Sequence, residues 1–299
     1  MDAIPAALSD AREQFLAMVA GVRPDLHRYC ARLTGSVIEG EDIVQDTLAR
    51  AFYALSLSAD VPALRPWLFR IAHNTALDFL KRHGTKYTDV HAEIEQIAGF
   101  EDRPDPAVVR AALARFLSLP VTQRSAVILK DVLGHSLEET SETMGTTIMA
   151  VKAALVRGRR ILLDHEPERA QIVATTRADL DRYASLFNAR DWDGVRALVA
   201  GDCRLDLVSK SQRRGKQVGA YFGRYEKEDV ALRVVRLEGR LVFGAYVAGA
   251  NNPAYFILLA FEDGRVTSIR DFRYVPYIAT EAEFGVVDLQ VYAQRSTRR

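Results

Sequence analysis

Apolar residues recur at three- and four-residue spacing through the first part of the chain. Leu26–Leu33, Ile43–Leu55 and Trp67–Leu80 show it, and β-branched alternation is absent there. That period belongs to an α-helix with one buried stripe. It predicts helices joined by short turns. From His83 to Pro106 the pattern stops. Gly84, Thr85, Lys86, Glu101, Asp102, Arg103 and two prolines make this stretch a linker. Helical spacing resumes from Ala107 to Leu163, and a second charged stretch around Pro167 follows.

Beyond residue 176 the pattern changes. Leu180, Tyr183, Ala184 and Phe187 share one helix face; Trp192, Val195, Leu198 and Val199 share another. Strand-like runs follow at Cys203–Val208, Arg240–Val247, Ala254–Phe261 and Val266–Val275. Asp263-Gly264 between the last two is a tight-hairpin signal. A helix is expected at Gln217–Tyr225. Helices leading into an antiparallel sheet predict a small α+β domain.

Length and composition narrow the classes. The 299 residues are 48% hydrophobic and 26% charged, enough apolar material for more than one core. No stretch of 18 apolar residues exists, which excludes a transmembrane helix. The N-terminus lacks a basic segment before an apolar run, so no secretory signal is expected. Cys30 and Cys203, far apart, offer neither a disulfide framework nor a cysteine-rich zinc site, and a reducing cytoplasmic location is expected. The net charge of +1 is neutral on nucleic acid, but its distribution is not. Lys152, Arg157, Arg159 and Arg160 stand together without an acid. Arg65, Arg70, Lys81, Arg82 and Lys86 face Asp78 alone. Glu39, Glu41, Asp42 and Asp46 form an acidic knot upstream. Local basic patches matter more for DNA than the total.

The sharpest motif is SLEETSETMGTTIMAVKAALVRGRRIL, residues 136–162. Ser136 with Glu139 three residues on is a capping box. Gly145 suits a turn, and Thr146 or Thr147 can cap the next helix. Short helix, glycine turn and longer helix make a helix-turn-helix, whose second helix enters a major groove. Ile148, Val151, Leu155 and Leu162 form its inward face. Lys152, Val156, Arg157, Arg159 and Arg160 point elsewhere, where cations reach guanine edges and phosphates. On spacing alone, a helical hairpin with a solvated basic face fits as well.

In RPWLFRIAHNTALDFLKRHG (65–84), Arg70, Asn74, Asp78 and Lys81 share one helix face. Trp67 and Phe69 are the candidates to stack on unpaired bases while cations track the backbone. The same residues equally suit a core tryptophan beside a solvated face.

Taken together, EDIVQDTLARAFYAL (41–55), the Trp67–Asn74 helix and the helix-turn-helix opened by LPVTQRSAVILKDVLGHS (119–136) resemble a bacterial sigma factor of the extracytoplasmic-function (ECF) type. The resemblance covers about residues 15–163. It implies region 2 at 15–84, a flexible linker at 85–105, region 4 at 106–164 and a second linker at 165–176. It implies that Asp42, Gln45 and Asp46 meet core RNA polymerase at the β′ clamp helices, with the β subunit as a further contact. It implies that Trp67, Arg70, Asn74, Lys81 and Arg82, with the loop at about 56–64, hold the single-stranded −10 element. It assigns Lys152, Ala153, Val156 and Arg157 to the −35 element, the hydrogen-bonded readout resting on Lys152 and Arg157.

Residues 177–288 resemble a SnoaL-like domain, carried by RYASLFNARDWDGVRALVAGDCRLDLV (182–208) and AYFILLAFEDGRVTSIRDFRYVPYI (254–278). The resemblance implies a cone-shaped α+β fold that tunes the activity of the sigma domains, by intramolecular contact or in response to a small molecule. The domain has no histidine. Asp206, Asp271, Tyr221 and Tyr255 remain as an Asp/Tyr set, equally readable as strand carboxylates paired with Arg204, Arg270 or Arg273. The basic turn SKSQRRGK (209–216) departs from the glycine-rich turn of sigma-linked relatives, so their regulatory contacts do not transfer.

The expected fold class is therefore multidomain: two all-α sigma domains, a helical region 2 bundle and a helix-turn-helix region 4, then an α+β cone. The expected function is promoter-specific transcription initiation. No catalytic residue, cofactor, metal or membrane contact is expected; an anti-sigma partner is allowed but not required. The alternative is a helix-turn-helix regulator of duplex DNA with a ligand-sensing cone.

Overall fold

The computed structural model describes residues 3–57, 63–83, 113–164 and 177–287. The chain separates into two units, 1–168 and 169–299. The expected linkers at 85–105 and 165–176, the helical start at 107–112 and much of the loop at 56–64 lie outside the described residues.

Four helices open the first unit: α1 (Ala3–Val19), α2 (Arg23–Thr34), α3 (Val37–Leu57) and α4 (Leu64–Arg82). Pro24 sits in the first turn of α2, where its missing N–H costs nothing. Gly35 ends α2 at φ +78°, a left-handed cap. Gly40 lets α3 press on α2, since a Cβ there would lie 2.6 Å from the Ala31 backbone nitrogen. Then come α5 (Leu113–Phe116), α6 (Val121–Val127) running into a π-helical turn (Ile128–Val132), α7 (Leu137–Met144) and α8 (Ile148–Asp164).

These eight helices share one core. Leu26, Tyr29, Leu33, Leu68 and Phe69 from α2 and α4 merge with Phe116, Val127, Leu129 and Leu155 from the later helices. Polar ties cross the same boundary. The buried Arg124 guanidinium donates to the carbonyls of Leu33, Leu117 and Leu119. The Tyr29 hydroxyl lies 2.6 Å from His73 Nδ1 and 3.4 Å from Ser125 Oγ. The Phe69 ring meets His135 edge-on, centroids 4.6 Å apart.

Two buried histidines at this boundary predict a response to acid. Burial lowers His73 from 6.5 to about 4. Burial, then the nearby Arg65 charge, lowers His135, and among the described residues neither of its ring nitrogens has a hydrogen-bond partner. A histidine that resists protonation when folded stabilises the fold above its unfolded pKa, and that stability fades as pH falls toward the folded value. We expect the first unit to lose about 3 kcal/mol between pH 6.5 and pH 4 from His73 alone. Thermal melts across that range should show a steep fall in Tm that His73→Phe flattens.

The second unit opens with α9 (Arg177–Asn188) and α10 (Trp192–Leu198). The strands are β1 (Val199–Leu207), β2 (Ser211–Arg214), β3 (Val230–Leu237), β4 (Arg240–Val247), β5 (Tyr255–Glu262), β6 (Arg265–Asp271) and β7 (Phe284–Val286). A 3₁₀ turn (Gly215–Val218) and α11 (Gly219–Tyr225) lie between β2 and β3; α12 (Tyr277–Glu281) precedes β7. One sheet forms, in the order β2-β1-β6-β5-β4-β3-β7.

The sheet is mixed rather than antiparallel as expected, because β1 runs parallel to β6. The long path through β2 to β5 permits that pairing, which a tight hairpin cannot make. Asp263 and Gly264 both have positive φ and form the expected hairpin; Glu238 and Gly239 do the same between β3 and β4. The basic stretch read as a turn holds a strand, with Arg214 opposite Arg204 and Arg213 opposite Leu205. Buried Leu180, Tyr183 and Phe187 hold α9 on the sheet, and the Asn188 amide caps both backbone groups of Leu232.

Candidate nucleic-acid interface

The helix-turn-helix is built as its residues dictate. Ser136 Oγ accepts from the Glu139 N–H at 3.0 Å, and Glu139 Oε2 accepts from the Ser136 N–H at 2.7 Å. Gly145 ends α7 at φ +62°. Thr147, not Thr146, caps α8, accepting from the Ala150 N–H at 3.2 Å. Val151, Ala154, Leu155 and Leu162 are buried. Gly158 permits close approach to α6, where a Cβ would meet Val127 at 2.8 Å. Lys152, Ala153, Val156 and Arg157 are half-exposed on another part of the helix surface, and Arg160 is exposed.

Arg159 does not belong with them. Its guanidinium makes a two-pronged pair with the buried Asp131, at 2.8 and 2.6 Å. Bidentate geometry of this kind locks α8 to the turn that carries Asp131. Arg159 braces α8 from its pair with Asp131, which sets it apart from Lys152, Arg157 and Arg160.

Along α4, Arg70, Asn74, Lys81 and Arg82 are exposed, while Leu68, Ala72, Ala76 and Leu80 are buried. Trp67 is half-buried. Phe69 is completely buried against Tyr29 and His135, so in this arrangement it is core and not a platform for bases. Trp67 and Arg70 line a cavity of about 340 Å³ with Ala63, Pro66 and Glu142. Glu142 comes from α7, so the helix-turn-helix stands beside the α4 residues assigned to single-stranded DNA. Nothing in the local sequence around Glu142 signals this.

The acidic knot on α3 divides in the same way. Glu41 is buried and paired with Arg23. Asp42 and Gln45 are half-buried and Asp46 is exposed, one turn of helix presenting a carboxylate outward.

In the second unit the Asp/Tyr set assembles. Asp271 is fully buried, and its carboxylate accepts from the Tyr221 hydroxyl at 2.9 Å and the Tyr225 hydroxyl at 2.7 Å. Burial raises its pKa, against the bond from Tyr225 and the charge of Arg273. Tyr255 reaches the set through Tyr225, hydroxyl to hydroxyl at 3.3 Å. Asp206 stands apart, paired with Arg270 at 3.3 Å. Among the described residues no helix is long and apolar enough to cross a membrane.

The fold and this surface define a helix-turn-helix protein whose second helix carries an open basic face. The comparisons narrow that class. Residues 18–85 match the model of Sigma-70 region 2, and residues 110–162 that of Sigma-70 region 4. The chain is 31% identical over 223 residues to ECF RNA polymerase sigma factor SigG of Mycobacterium tuberculosis, covering 64% of this chain and 60% of SigG. It is 32% identical over 149 residues to SigL of the same organism, covering 46% of this chain and 82% of SigL. The chain thus spans only about 60% of SigG's length. The crystal structure of M. tuberculosis SigJ aligns over 87% of this chain and 98% of SigJ, at 21% identity and a TM-score of 0.33. The chain belongs to the ECF RNA polymerase sigma factors.

Proposed function

We propose that this protein binds core RNA polymerase and directs it to one class of promoter, supplying no bond-making chemistry itself. The observation that carries the reading is the pairing, within one unit, of a capped helix-turn-helix with an α4 face of exposed Arg70, Asn74, Lys81 and Arg82. A regulator of duplex DNA needs only the first. Duplex is read by a helix in the groove, whereas separated strands are held by exposed polar and aromatic groups. Asp42, Gln45 and Asp46 on α3 are the polymerase contact in this reading, and promoter DNA is the second partner.

Holding two separate elements requires the halves of the first unit to part. The arrangement described above, with Glu142 beside Trp67 and Arg70, is a closed form. The second unit modulates activity. Comparing the full chain with residues 1–168 in transcription reads that modulation.

The −35 assignment has its own test. Arg157→Ala should lower transcription about tenfold, since a good base contact is worth ~1–3 kcal/mol. It should also erase the effect of substituting the base that Arg157 meets. A −35 mutation profile identical to that of the parent protein contradicts the role.

A further inference from the structure

The second unit contains a cavity of about 470 Å³ between the end of α11, the start of β3 and the segment after β6. That volume falls within the ~300–1,000 Å³ of small-molecule sites. Val230, Val247 and Tyr255 supply apolar wall, and Val247 is 47% exposed at the rim. Polar groups converge on the other side: Arg224, Glu228, Arg273 and the Tyr274 hydroxyl.

Arg273 is the informative residue. Its side chain is only 7% exposed and lies between two rings, 4.5 Å from the Tyr225 centroid and 5.1 Å from that of Tyr255. Its Nη2 donates to Glu228 Oε2 at 2.8 Å and to the Tyr255 hydroxyl at 2.6 Å. Nε lies 3.8 Å from Asp271. Behind it runs the Tyr255–Tyr225–Asp271 chain described above. Both of its side-chain hydrogen bonds leave from Nη2: among the described residues nothing accepts one from Nη1, and Nε is too far from Asp271 to make one. The guanidinium is not wholly buried at Nη1, so a carboxylate entering the cavity meets an available donor there. Its plane is already fixed, so little ordering remains to be done when that acceptor arrives.

Charge selects the sign of the acceptor. Arg224 and Arg273 both bond Glu228. Asp229 is paired with Arg190, and Lys210 lies over the Tyr274 ring, 4.4 Å from its centroid. Four cations thus stand against Glu228, Asp229 and the deeply buried Asp271.

We propose that this cavity binds a small organic carboxylate, its oxygens on Arg273 Nη1 and its apolar body against Tyr255, Val230 and Val247. The claim does not depend on the sigma-factor reading, and direct binding tests it separately. Titrate the full-length protein calorimetrically with benzoate and hexanoate, and with benzamide and hexanamide, up to millimolar concentration. We expect at least one acid to bind about tenfold or more tightly than its amide, the margin of one charge-assisted hydrogen bond. Arg273→Gln should remove that preference. Because Arg273 also ties the unit together, Val247→Asp serves as a second variant. It places a carboxylate at an exposed rim position and should weaken the acid tenfold while leaving Tm unchanged. Equal binding of acid and amide overturns the proposal, as does an Arg273→Gln or Val247→Asp protein that folds and retains the preference, or no binding by any of the four probes.

Discussion

Asn74→Ala should cut promoter opening by about tenfold to a hundredfold while leaving binding to core polymerase unchanged. The expectation follows from where the side chain stands. Asn74 is exposed on α4, across the helix from the buried stripe of Leu68, Ala72, Ala76 and Leu80. Truncating an exposed side chain that anchors nothing usually changes stability by less than about 0.5 kcal/mol. A lost base contact costs ~1–3 kcal/mol, which sets the range. The proposed polymerase contact lies on another helix, at Asp42, Gln45 and Asp46. Permanganate reactivity of unpaired thymines in the promoter, measured beside polymerase affinity, separates the two effects. Equal loss of both would place Asn74 in the polymerase contact instead.

Arg124→Ala should have the largest effect on the first unit. Arg124 is 97% hidden, and its guanidinium serves three carbonyls, those of Leu33, Leu117 and Leu119. Leu33 lies at the end of α2; the other two precede α6. One side chain thus fastens the region 2 helices to those of region 4. Burial already drags its pKa from 12.5 to about 10, a sign of how little water reaches it. The bonds to Leu33 and Leu119 are fully buried, and each buried acceptor stripped of its donor costs ~1–3 kcal/mol, so the sum is about 2–6 kcal/mol. We expect a large fall in Tm and the splitting of one unfolding transition into two as the halves lose their tie. Arg124→Lys should recover only part, because an ammonium cannot reach three carbonyls in the guanidinium plane. A single transition at the parent temperature contradicts this account of the closed form.

Much of the architecture was legible because short-range chemistry sets it. The Ser136–Glu139 box, Gly145 and the Asp263-Gly264 hairpin depend on residues within four positions of one another. The buried faces of α9 and α10 follow from helical spacing. β3 was legible too and went unread. Val230, Leu232 and Val234 alternate with Ala231 and Arg233, and Glu238-Gly239 marks the turn that follows.

What escaped the sequence is what the tertiary fold decides. Glu41 and Asp46 look alike in the acidic knot, yet Glu41 is spent on Arg23 in the interior. Arg157 and Arg159 look alike on α8, yet Asp131, 28 residues earlier, holds Arg159 in a two-pronged pair. Phe69 looks as available as Trp67 until α2 and His135 close over it. The parallel pairing of β1 with β6 joins residues some 60 positions apart. The polar set around Asp271 was nameable as residues, but its joining to Arg273 and a cavity required the sheet.

The measurement that tests the central claim most directly is run-off transcription with purified bacterial core polymerase on a promoter library, with and without the full-length chain. The account predicts specific transcripts that appear only when the chain is added and that share two upstream elements. Duplex DNA binding by the chain alone, with no transcript from any promoter in the presence of polymerase, would contradict it and return the helix-turn-helix to a regulator of another kind.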